Sequence, residues 1–410
     1  PEDLLKSYLN HAHTKPFEFQ IRERRKFVDT LLSEKEEALI ARLRPSGHGS
    51  WGTLYDQVSS NLRCKVLDPQ TGESKTVGLA QAAGMLRDGN EDVRKAAWLG
   101  IQAAWREAAI PAAAGLNALA GWRLEIAELR SKNRPVHYLE ESLRGSKIQK
   151  QTLDAMLAAI QTEIEMPRRA VRAMAKAHGK TKLEPWDLLA PAPQENTHRV
   201  PYLKGLQMVR DSFAAVDSSF SDFVDTMKKN RWLEGRSDLP NKRQGAFCTD
   251  FQKSRTPRVF QTYMGSIDDI RTLAHELGHA YHSWVMRDLP TAMTSYPMTL
   301  AETASIFAET AFAEGVLENA VQSGDHATAF EIAFQNGEAA AAFLLNIPAR
   351  FDFEKSFYDK RQEGSVSAEE LSDLTAQAWN KWYGDTLTAP DSNYWMTKLH
   401  FSIAGVSFYN

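Results

Sequence analysis

Residues 275–279 read His-Glu-Leu-Gly-His. Two histidines four positions apart lie on one face of an α-helix, about one turn apart, so both imidazoles can reach a single ion. Zinc suits such a pair, because it favours imidazole nitrogen and accepts a tetrahedral shell that leaves one position for water. Glu276 projects beside the two ligands, where a carboxylate can take a proton from water held at the ion. The spacing is that of HExxH, in which the glutamate is a base and not a ligand. The plain alternative is a pair of histidines satisfied at the surface or in a core.

A catalytic zinc needs a third protein ligand. The extended pattern HExxHxxGxxH fails here, since the residues after His279 provide neither its glycine nor its third histidine. The other source is a carboxylate on a following helix, and PMTLAETASIFAETAFAEG supplies Glu302, Glu309 and Glu314. Glu302 and Glu309 are seven apart, hence on one helical face, so one can ligate while the other orients a ligand. Glu314 falls on a different phase from Glu309 and reads as a solvated charge. Glu302 also has a structural alternative, because Thr299-x-x-Glu302 has the form of a capping box.

These residues are useful only if helices carry them. Ser266 with Asp268 and Asp269 is placed to cap a helix through the motif and to complement its N-terminal dipole. Before it, Gly245 to Gly265 alternates and is rich in aromatic and β-branched residues, which predicts one or two strands. Helices are expected from Ser266 to about Gly384. Upstream, Ser33 and Glu36 form a capping box. Asn90 caps a helix whose Val93, Ala97, Ile101, Ala104 and Trp105 share a face. Further helices are expected from about Pro111 to Arg130, from Gln149 to a C-terminal cap at Gly179, and from about Gly205 to Asn230. DPQTG predicts the turn of one hairpin after Cys64. Trp98, Trp105, Trp379 and Trp382 read as core, and the basic run around MPRRAVRAMAKAHGKTK as a solvated helix face. The chain is therefore expected to be mainly α, with a small β element beside the HExxH helix. Prolines and polar residues from Ala190 to Asn196 suggest a helical N-terminal domain over 1–190 and the motif-bearing domain over 196–410.

Forty-nine Lys plus Arg against fifty-two Asp plus Glu leave a net charge of −3, so nothing electrostatic favours a nucleic-acid or anionic-membrane partner. Two cysteines, Cys64 and Cys248, cannot build a disulfide framework and point to reduced thiols in the cytoplasm. No apolar run is long enough to span a membrane. The start lacks an initiator Met and FSIAGVSFYN stops in mid-pattern, so the chain is expected to be a piece of a longer one, truncated at its C-terminal end.

GSIDDIRTLAHELGHAYHS followed by LAETASIFAE resembles the M3 metallopeptidase family, in its oligoendopeptidase F branch. GAFCTDF and TPRVFQTYMG resemble that branch's approach to its zinc helix, KLEPWDLLAP its domain junction, and NYWMTKLHFSIAGVSFYN its C-terminal region. The resemblance runs from about Gln149 to the end and is strongest from Gly245 to Glu309. It implies a helical body with a substrate channel between lobes. It implies one zinc ion per chain, held by His275, His279 and Glu302. Glu276 would be the general base, Glu309 a carboxylate orienting a ligand histidine, and His282 a supporting residue. A strand at Gly245, Ala246 and Phe247 would pair with substrate backbone, and His400 and Tyr409 would donate hydrogen bonds to the oxyanion. Tyr409 can equally be a packing aromatic beside Phe401 and Phe408. The implied activity is zinc-dependent endoproteolysis of short unstructured peptides. A metallo-carboxypeptidase on a similar scaffold, or a non-catalytic metal- or peptide-binding protein, are the other readings.

Overall fold

The computed structural model describes residues 2–193, 199–237 and 245–408. The fold is mainly α, with a two-stranded and a three-stranded sheet among the described residues. The chain forms two compact units, each assembled from separated stretches. One comprises Pro1–Arg22, Gly145–Lys147 and Gln194–Ala333, and the other Glu23–Arg144, Ile148–Pro193 and Phe334–Asn410. The stretch at 190–196 falls where the chain passes from one unit to the other, and residues 194–198 lie outside those described.

The unit holding residues 199–333 carries the HELGH motif. Its core is built from helix Tyr202–Val216, helix Ser218–Lys229, the motif helix Ile267–Val285 and the helix Thr303–Ser323. Phe213, Phe223, Leu273, Leu277 and Phe312 are buried together there. The single helix expected over 205–230 is two helices. At Asp217 the backbone becomes extended (φ −159°, ψ 137°), and the carboxylate accepts the Ser219 N–H at 2.8 Å. That is an N-cap, so a local side-chain bond restarts the helix where hydrophobic periodicity alone reads straight through.

Gly245–Gly265 yields two strands. The outer strand Ala246–Phe251 pairs antiparallel with the central strand Thr256–Gln261, in the register Phe247 opposite Phe260 and Thr249 opposite Arg258. A short parallel strand, Leu233–Glu234, covers the far side of the central strand. The outer strand therefore keeps one edge without a strand partner among the described residues.

In the second unit, helix Glu91–Glu107 starts at Asn90, whose side chain accepts the Asp92 N–H, and it buries Ala97, Ile101, Ala104 and Trp105. The expected hairpin is present, with Arg63–Leu67 antiparallel to Ser74–Gly78. Trp105, Trp379 and Trp382 are fully buried, in keeping with a core role. The helix expected over 149–179 divides into Lys150–Thr162 and Glu165–Ala177. Pro167 has no N–H to give a preceding turn, whereas in the first turn of a new helix none is needed. Gly179 takes the left-handed conformation (φ +72°) expected of a C-terminal cap. The basic run is only partly solvated. Arg168 donates to the carbonyls of Lys381 and Trp382, satisfying the end of helix Ala368–Tyr383.

One buried acid makes this unit sensitive to pH. Glu354 is 3% exposed and accepts the Phe408 N–H at 3.0 Å, and burial pushes its pKa up to about 7. A carboxyl whose folded pKa lies above its unfolded value loses stability as pH rises between the two, because only the unfolded chain sheds its proton there. The cost saturates above about pH 7 at about 3 kcal/mol. Glu354→Gln should therefore raise the melting temperature by a few degrees at pH 8 and scarcely at pH 5. Thermal melts at the two values check this, and an equal shift at both would contradict it.

Candidate metal centre

The motif helix begins in a complete capping box. The Ser266 hydroxyl accepts the Asp269 N–H, and the Asp269 carboxylate accepts the Ser266 N–H, each at 3.0 Å. Gln261, the last residue of the central strand, donates to the Asp269 carbonyl at 2.6 Å and so ties sheet to helix. Against one side of this helix lies helix Thr303–Ser323. The contact is close because residue 278 is glycine: a Cβ there would stand 2.5 Å from the Ala304 carbonyl oxygen and 2.7 Å from the Ala308 Cβ. Gly278 sits between the two motif histidines, so the backbones meet where the side chains must converge.

Three side chains do converge. The Nε2 atoms of His275 and His279 are 3.1 Å apart, and Glu302 Oε2 lies 3.3 Å from the first and 3.2 Å from the second. Atoms bound tetrahedrally at about 2.0–2.1 Å from a common centre stand about 3.3–3.4 Å from one another. The donor triangle thus has the size a small tetrahedral cation requires. Three lone-pair donors pointed at one another also repel unless a positive charge lies between them. Donor type, separation and convergence all fit a zinc ion.

Glu302 does not form the capping box with Thr299: it stands at the N-cap position of helix Thr303–Ser323, but its side chain makes no capping hydrogen bond. Thr299 lies within the short helix Met298–Ala301 and gives its hydroxyl to the Ser146 carbonyl, while Glu302 occupies the turn before the next helix (φ −95°, ψ 0°). That turn directs its carboxylate toward the histidines, and the Ser305 hydroxyl donates to Oε2 at 2.7 Å. Glu309, two turns on, accepts from His275 Nδ1 at 2.5 Å and from Arg271 Nε at 2.8 Å. With its Nδ1 proton held there, His275 presents the Nε2 lone pair to the centre. Burial works against the Glu309 carboxylate, but the hydrogen bonds from His275 and Arg271 outweigh it and hold the pKa below its ordinary value. Burial likewise disfavours charge on His275, yet the Glu309 bond and the neighbouring carboxylates raise its pKa. Burial lowers that of His279.

Glu276 is 7% exposed, and burial pushes its pKa up to about 6. The backbone N–H of Cys248, on the outer strand, faces this carboxylate and favours its charged form, against the larger effect of burial. The free edge of that strand therefore faces the candidate base. Cys248 itself is a poor thiolate, since burial pushes its pKa up to about 12.

Of the remaining predicted residues, Ala246 and Phe247 open the outer strand, with the Phe247 ring stacked on Phe260 at 5.0 Å. Gly245 lies just before it at φ +109°. His282 stacks on Tyr296 at 4.5 Å rather than pointing at the donor triangle. His400 occupies the turn Leu399–Ser402 of the second unit. Tyr409 lies outside the described residues. Sequence reasoning missed Arg271, Ser305, Gly278 and the Cys248 amide. Arg271 precedes His275 by four residues and so shares its face, a signal within reach of the same helical spacing. A backbone amide leaves no such trace.

The chain matches the family model described as Peptidase family M3 over residues 84–410, and the one described as Oligopeptidase F over residues 1–63. The match begins well before Gln149, where the resemblance of the motifs starts. Oligopeptidase PepF of Bacillus subtilis is 22% identical over 390 residues, covering 94% of this chain and 57% of its own length. The oligoendopeptidase F homolog of Lactococcus lactis subsp. lactis is 21% identical over 357 residues, covering 87% of this chain and 57% of its own. This chain thus spans somewhat over half the length of these curated relatives. The crystal structure of oligoendopeptidase-F from Enterococcus faecium superposes with a TM-score of 0.73 at 17% identity, over 100% of this chain and 67% of that one. That likeness establishes a shared fold.

Proposed function

The chain belongs to peptidase family M3, and from that premise we propose that it is a zinc-dependent endopeptidase acting on short, unstructured peptides. The reading is carried by one arrangement: three convergent donors 3.1–3.3 Å apart, two of them on the helix that also carries a buried carboxylate, Glu276. His275, His279 and Glu302 would hold the ion, and Glu309 and Ser305 keep two of them aimed. Zinc bound there supplies Lewis acidity, to a water and to the scissile carbonyl.

The protein's own groups account for the rest. The outer strand offers backbone donors and acceptors to an extended peptide, which aligns the peptide beside Glu276. Glu276, with a pKa of about 6, can accept the proton of the attacking water near neutrality and return it to the departing amine. His400 and Tyr409 are the proposed donors to the oxyanion, on the strength of the family resemblance. Extended peptides fit a strand edge, whereas a folded protein has few free strands to offer.

Mass spectrometry of a defined peptide mixture, run with bound-metal stoichiometry, tests the proposal. Internal cleavage with about one zinc per chain is expected, and loss of activity on chelation should reverse with added zinc. Products shortened one residue at a time from the C-terminus would instead identify a carboxypeptidase, and no cleavage by the zinc-loaded protein would refute the assignment.

A further inference from the structure

The free edge of the outer strand runs on from the metal centre to a second polar cavity. It encloses about 260 Å³ and is lined by Asp250, Phe251, Arg255, Ser283, Arg287 and Tyr296, among others. Asp250 is two residues beyond Cys248 on the outer strand. Because a strand repeats every two residues, their backbone groups share one edge, about 7 Å apart. The Ser283 hydroxyl donates to Asp250 Oδ2 at 2.8 Å and closes the cavity against the motif helix.

Both arginines are held on its wall. Arg255 sits in the hairpin turn at φ +56°, a left-handed backbone that favours glycine or asparagine. Its Nη2 donates to the Thr291 hydroxyl at 2.8 Å, which fixes the guanidinium while most of its five donors stay uncommitted to that bond. The Arg287 guanidinium lies 4.3 Å over the Trp284 ring and donates to the Trp284 carbonyl at 2.7 Å. Its ion pair with Asp288 is long, at 3.6 Å, and Asp288 is 86% exposed, so water screens it. Two preorganised guanidiniums thus line a side-chain-sized cavity in which Asp250, the one carboxylate among the described lining residues, is turned toward Ser283. Planar, bidentate carboxylate recognition is what guanidinium geometry does best.

We propose that this cavity is a subsite for a carboxylate of the bound peptide, received by Arg255 and Arg287 two to three residues from the bond that is cut. The inference rests on the outer strand being the peptide's rail. The carboxylate belongs either to an Asp or Glu side chain or to the peptide's free C-terminus, and the two sources are separable.

The test uses one peptide with Glu or Gln placed at successive positions on either side of the cleaved bond, plus a pair ending in a free acid or an amide. Two readouts are taken: kcat/KM with the active enzyme, and anisotropy of labelled peptide binding to Glu276→Gln. Glu is expected to exceed Gln about tenfold at one position in both readouts, or the acid to exceed the amide by a similar factor. The preference should fall to within twofold in Arg255→Gly combined with Arg287→Gln. Arg255→Gly alone should weaken it while keeping the melting temperature at or above that of the parent, because glycine suits that backbone. A carboxylate preference below twofold at every position, or one that survives both substitutions, overturns the proposal. If no peptide is cleaved, the peptidase reading fails, while the binding readout still decides the subsite.

Discussion

Glu276→Gln is expected to lower kcat by about 10²–10⁴-fold, the range a positioned general base contributes, and to leave zinc content unchanged. The amide has the carboxylate's size and shape, so the side chain can keep its place in the buried site, but it cannot take up a proton. Glu276 is buried with a raised pKa, so removing its charge also removes a desolvation cost, and the melting temperature should not fall. This combination distinguishes a lost base from a damaged fold. Metal analysis and melting curves accompany the kinetics, and turnover within tenfold of the parent would remove Glu276 from the chemistry.

The second large effect concerns metal retention. Glu302→Ala deletes one of three donors and should weaken zinc binding by more than 100-fold. Glu309→Ala removes only the partner of His275 Nδ1, a change that typically costs 10–100-fold. Competition against a calibrated chelator gives both constants. The reverse order would make Glu309 the ligand and Glu302 the accessory group. The spacing makes the expected order physical: Glu302 Oε2 lies 3.2–3.3 Å from both Nε2 atoms, whereas Glu309 engages His275 from its opposite nitrogen.

The convergence of candidate donors is legible in the sequence wherever spacing along one helix determines it. His275, Glu276 and His279 follow from helical geometry alone, and the cap at Ser266 from the residue types around it. Choosing among Glu302, Glu309 and Glu314 was harder, because a seven-residue interval places two carboxylates on one face without saying which reaches the histidines. The decision comes from the turn at Glu302, a backbone feature invisible to periodicity, and from the packing of a second helix. Two long helices each proved to be a pair. Asp217 and Pro167 were both readable as breaks, but the apolar pattern continued across them and outweighed them. The strand edge facing Glu276 and the two arginines around the neighbouring cavity arise from contacts between residues remote in sequence. Thirty-two positions separate Arg255 from Arg287, and no local pattern relates them.

The glycine contact between the motif helix and its neighbour bears on ion size. The Ala304 oxygen stands 2.5 Å from where a Cβ of residue 278 would lie, so the two backbones meet closely beside the donor atoms. Calcium, with oxygen ligands at about 2.3–2.6 Å and six to eight of them, asks for a wider and more crowded cage than this pair of helices allows. A cation held by His275, His279 and Glu302 would therefore meet donors already drawn to the spacing of a small ion. Retuning the protein for a larger cation would begin at residue 278, with a bulkier spacer, and only then turn to exchanging ligands.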